Sequence, residues 1–75
     1  MTSTAPLASR IVQGPSGPVS VRLSHPVEDN GDYYCLVEIA GQGSRDVHLK
    51  GYGVDELQAL ESALTIIRAN LDNLD

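Results

Sequence analysis

Residues 54–75 read VDELQALESALTIIRANLDNLD, and their reading decides the fold. Leu57, Leu60, Leu64, Ile67, Leu71 and Leu74 follow one another at a strict 3-4-3-4-3 spacing. At ~100° per residue these positions share an arc of about 100° on a helix. No glycine or proline interrupts the stretch. Asp55 is a good N-cap, and Gln58, three residues on, completes a capping box. Asp55 and Glu56 also suit the positive pole of the helix dipole. At the far end Asp72 and Asp75 crowd the negative pole, so the last turn is expected to fray.

So narrow a seam has two possible destinations, a coiled coil with a second chain or a sheet made by the preceding residues. The seam lasts under three heptads, short for a coiled coil. The first fifty residues, in turn, supply a sheet face that needs a cover, and there is one helix to provide it. The expectation is that the seam lies on the chain's own sheet.

That sheet is read as follows. Residues 1–6, MTSTAP, form a disordered start, and a single domain runs over 7–75. LASRIVQ is a first strand, and GPSGP marks a turn. VSVRLS alternates, with Val19, Val21 and Leu23 on one face and Ser20, Arg22 and Ser24 on the other. Asn30-Gly31 predicts a type I′ hairpin turn. YYCLVEIA places Tyr33, Cys35, Val37 and Ile39 on one face, with Tyr34, Leu36, Glu38 and Ala40 opposite. GQGS is a second turn. RDVHLK then places Val47 and Leu49 on the core side, with Asp46, His48 and Lys50 outside. Gly51 and Gly53 are expected to release the chain from the sheet. The fold class is therefore α+β, an antiparallel four-stranded meander (β-β-β-β-α) covered on one face by a long C-terminal helix.

Composition limits the function. The 75 residues make one small domain, which buries about 60% of the surface its unfolded chain exposes. A second copy would enlarge so small a core. The formal net charge of −5, with five scattered basic residues, argues against nucleic-acid binding. A single cysteine excludes an internal disulfide, and two histidines with one cysteine, far apart, give no zinc spacing. The start has neither the basic end nor the apolar run of a secretory signal, and no apolar run approaches a membrane span. A reduced, cytoplasmic setting is expected.

Two surfaces invite partners. Ala59, Ala63 and Ile66, with Asn70 below them, widen the helix's apolar arc to roughly 180°. Small residues there suit either a helix sunk close onto a curved sheet or a shoulder where two helices meet in a homodimer. On the outer sheet face, Tyr34 and Leu36 neighbour His48 and Lys50, with Tyr52 nearby. That group suits an interface as well as it suits ordinary scattered exposure.

Catalytic chemistry is not legible. Cys35 sits mid-strand among apolar residues and reads as a buried structural thiol. His25 and His48 read as surface histidines. EDNGD lacks the spacing of an EF-hand calcium loop, and GQGS and GYG match no phosphate-binding loop. No cofactor or metal is expected, and no enzyme activity.

GYGVDELQALESALTIIRANLD resembles a family of small bacterial domains of unknown function, which end a short meander with a glycine-flanked aromatic, an acidic cap and an LQAL…AL helix. The matching residues are Gly51, Tyr52, Gly53, Asp55, Leu57, Gln58, Ala59, Leu60, Ala63 and Leu64, within a likeness covering 32–74. The resemblance implies a fold and no activity. Val54-Asp55-Glu56-Leu57 is more loosely similar to the helix start of HicB-type antitoxins, without their DNA-binding segment. The expected function is a small non-enzymatic interaction module, homodimeric, without nucleic acid or membrane. The alternative is an acidic antitoxin, immunity or inhibitor protein that masks a basic partner.

Overall fold

The computed structural model describes residues 5–41 and 46–72. Strands β1 (Ala8–Gly14), β2 (Gly17–Leu23), β3 (Val27–Asp29), β4 (Asp32–Ala40) and β5 (Val47–Gly53) form one antiparallel sheet, and α1 (Glu56–Leu71) closes the chain. The architecture is α+β, as the alternation pattern implies. It has five strands where four were expected.

The extra strand comes from a break. β2 and β3 lie along the same edge of β4, with Leu23 opposite Val37 and Val27 opposite Tyr34. Between them Ser24, His25 and Pro26 leave the ladder. Pro26 has no N–H to donate, which favours an interruption here. Ser24 bridges the gap. Its N–H donates to the Leu36 carbonyl at 3.0 Å, and its Oγ accepts the Leu36 N–H at 2.7 Å. Asn30 and Gly31 then turn the chain at φ 54° and 90°, the left-handed pair that a type I′ hairpin needs.

The core forms on one side of the sheet. Val19, Val21, Leu23, Cys35, Val37 and Ile39 are buried there, capped by Ala59 and Ala63. Leu49 belongs to this face, opposite Val37, yet it stays 47% exposed. Gly51 and Gly53 do not release the chain. They remain in the ladder, opposite Cys35 and Tyr33.

The helix covers its own sheet with Ala59 and Ala63 and with only part of the seam that the spacing singles out. Ala59 and Ala63 are fully buried, whereas Leu57 is 72% and Leu64 50% exposed. Leu60, Ile67 and Leu71 are half-buried at the core's margin, and Leu74 lies outside the described residues. The centre of the two buried alanines is thus turned roughly 90° about the helix axis from the centre of the leucine seam. The cause is the floor beneath. At β5 it consists of Gly51 and Gly53, which have no side chains to hold the helix off. A Cβ on Gly51 would lie 2.5 Å from the Ala63 nitrogen, and one on Gly53 would collide with the Ala59 nitrogen. Only small residues fit such an approach.

Candidate interaction surfaces

The helix start is built much as the capping pattern implies. The Asp55 carboxylate accepts the Gln58 N–H at 2.8 Å. Gln58 Oε1 reaches back to the Val54 N–H at 2.7 Å, one residue before the cap itself. Ser62 Oγ donates to the Tyr52 carbonyl at 2.7 Å, tying the helix to the end of β5. These contacts fix the rotation of α1, and with it the side chains that reach the surface.

The residues singled out on the helix are distributed unevenly. Ala59 and Ala63 are sealed against Gly53 and Gly51 and present no surface. As a shoulder for a second helix they are corrected: their smallness serves the chain's own packing. Ile66 is half-buried against the core. Asn70 is half-buried, and its side-chain amide donates to the Ile66 carbonyl at 2.8 Å, one turn earlier. Of the leucine seam, Leu57 and Leu64 face outward.

On the outer sheet face the structure brings together Tyr34, Leu36, His48 and Tyr52. Tyr34 lies directly opposite Tyr52, and Leu36 opposite Lys50. The two tyrosine rings are 6.0 Å apart and tilted by 55°. Lys50 Nζ sits 4.6 Å over the Tyr34 ring, a cation–π geometry. His48 Nε2 approaches Glu38 Oε2 at 3.0 Å, and Arg22 flanks Glu38 from the other neighbouring strand. Much of this face is therefore occupied with its own contacts. A shallow concavity of about 750 Å³ lies beside it, lined by Arg22, His25, Tyr34 and Leu36 among others.

A second surface was not singled out as open. The helix sits over β4 and β5, so β1 is left mostly exposed, while Val19, Val21 and Leu23 of β2 are buried. Between these two strands and the helix runs a groove of about 180 Å³, with Ala8, Arg10 and Val21 on its floor and Leu64, Ile67 and Leu71 on its wall. Arg10, Glu61, Arg68 and Asp72 rim the hollow around the same leucines. The signal for this surface was the leucine seam itself, of which Leu60, Ile67 and Leu71 pack against the core while Leu57 and Leu64 stay exposed.

The reactive side chains do not converge. Cys35 is buried on the core face, where burial pushes its thiol up from the ordinary value and keeps it protonated. His25 and His48 stand on the outer face. Among the described residues, no three His, Cys, Asp or Glu side chains group so as to hold a metal ion. Among the same residues, no helix is long and apolar enough to cross a membrane.

No curated protein and no solved structure matches the chain. One family model does, over residues 8–75, and it is not that of the HicB-type antitoxins. The span includes all five strands and the helix. The chain is a member of the family described as a domain of unknown function, DUF6968.

Proposed function

We propose that this domain is a non-enzymatic protein-interaction module that works as a homodimer, joined along the leucine side of α1. One observation carries the reading. Leu57 and Leu64, the first two members of a seven-residue apolar repeat, are 72% and 50% exposed beside the uncovered β1. Single exposed leucines are ordinary, but a row of them next to an apolar groove is the surface that partners cover. A chain of 75 residues also gains from sharing a core, because its own buries so little. A reducing, cytoplasmic setting suits its single free thiol.

A second copy is favoured over a basic partner by the rim of the groove. Arg10 and Arg68 stand there with Glu61 and Asp72, so the rim is formally neutral on a chain of net charge −5. A protein that masks a basic partner would present an acidic surface at the contact.

Light scattering or sedimentation equilibrium across a dilution series tests the proposal. The expected result is a dimer at high micromolar concentration that Leu64→Glu converts to a folded monomer. A wild-type chain that stays monomeric throughout would remove the homodimer.

A further inference from the structure

Resting on the self-association proposed above, we infer that the two copies meet through an antiparallel pair of α1 helices, with a two-fold axis passing beside Leu64. Glu61 of each subunit then faces Arg68 of the partner subunit.

The argument starts from what the helix leaves exposed. Leu57 and Leu64 are exposed and Leu71 is half-buried, and the three recur every seven residues, the repeat of a helix–helix contact. Glu61 and Arg68 keep the same seven-residue step and lie next to the leucine row on its solvent side. Both are exposed, and neither side chain makes an ion pair with another described residue. They are charged groups of opposite sign, standing beside the most exposed apolar side chains of the helix.

Their spacing selects the orientation. Glu61 lies three residues before Leu64 and Arg68 four residues after it. At ~1.5 Å per residue these offsets are about 4.5 and 6 Å. A two-fold axis perpendicular to the helix at Leu64 therefore brings Glu61 of one subunit opposite Arg68 of the partner subunit, and the reverse, forming two equivalent pairs. A parallel arrangement sets each charge at the height of its own copy, where like charges repel. Isologous contact also demands a self-complementary patch. The groove rim meets that demand: its two positive and two negative groups, Arg10, Arg68, Glu61 and Asp72, sum to zero. Two copies of a chain with net charge −5 can approach there without net repulsion.

Charge exchange on the full-length chain tests this, read by sedimentation equilibrium at low ionic strength. Glu61→Arg and Arg68→Glu should each weaken the dimer by roughly tenfold, because each removes two pairs and sets like charges face to face. The double variant Glu61→Arg/Arg68→Glu should recover to within about threefold of wild type, since it rebuilds both pairs with their signs reversed. Both residues are exposed, and circular dichroism of each variant checks that it remains folded. A wild-type dimer with no effect from either single change overturns the antiparallel contact while leaving self-association standing. Losses that add in the double variant overturn it equally. If no wild-type dimer forms at any concentration, both this inference and the homodimer are lost.

Discussion

Gly51 lies directly beneath Ala63. A Cβ placed on Gly51 would stand 2.5 Å from the Ala63 nitrogen and 2.7 Å from its Cα. The pair repeats at Gly53 and Ala59, and the two repeats match in length. Two residues of strand span about 6.8 Å and four residues of helix about 6 Å. Strand and helix run in opposite directions there, so one small pair follows the other in register.

Gly51→Ala should therefore cost about 2–3 kcal/mol, as an overpacked core does, because the new methyl meets backbone that cannot swing aside. Urea unfolding of the variant measures it. A cost below about 0.5 kcal/mol would show that the helix can lift without penalty. It would also remove the reason for the helix's rotation.

The buried and the exposed members of the leucine seam should respond differently. Ile67 packs against the core while Leu64 is half exposed. Ile67→Ala should destabilise the isolated chain by about 2 kcal/mol and Leu64→Ala by less than about 1 kcal/mol. The proposed dimer adds a concentration dependence to the wild-type melting temperature. Leu64→Glu should flatten that dependence while leaving the low-concentration melting temperature nearly unchanged.

Ser24 holds the break in the sheet. Ser24→Ala removes the acceptor for the Leu36 N–H, a bond of 2.7 Å in a partly buried place. The expected loss is about 1–2 kcal/mol, the usual cost of stranding a buried donor. Amide hydrogen exchange at Leu36 should quicken more than at Val37 or Ile39. Uniform acceleration across β4 would indicate a global effect instead.

Cys35 gives a pH signature with a definite sign. Burial raises its folded pKa above 9.0, so near and above that pH the unfolded chain loses the proton first. Stability contributed by the protonated thiol is complete below the unfolded value and falls as pH rises through it toward the folded one, by up to about 1.4 kcal/mol per pH unit. Relative to Cys35→Ala, the wild-type chain should lose stability as pH rises above about 9. Parallel pH profiles for the two proteins would contradict it. Thiol reagents should modify Cys35 only as fast as the chain opens.

Much of the architecture was legible because it rests on local chemistry. Alternation in VSVRLS and YYCLVEIA identified the buried faces of β2 and β4, and Asn30-Gly31 identified the turn that enters β4. Asp55 marked the helix start. β3 escaped notice because three residues after Pro26 are too few to show a period. The candidate surface was only half legible. The leucine spacing was visible, but a helix with apolar residues over roughly 180° does not declare which part faces inward. The clue lay in Gly51 and Gly53. They keep the parity of Val47 and Leu49 and so stand on the core face, yet two glycines near a strand end also read as an exit from the sheet.

By itself, the order of side chains determined which segments become strand and helix, since backbone preference, alternation and capping act over a few neighbours. Rotation of the helix was decided only when β5 came beneath it. A floor without side chains draws the helix close, close approach admits alanine and excludes leucine, and the larger residues are left to the side. That choice depends on a contact between residues twelve positions apart in one pair and six in the other, and it is what leaves Leu57 and Leu64 at the surface.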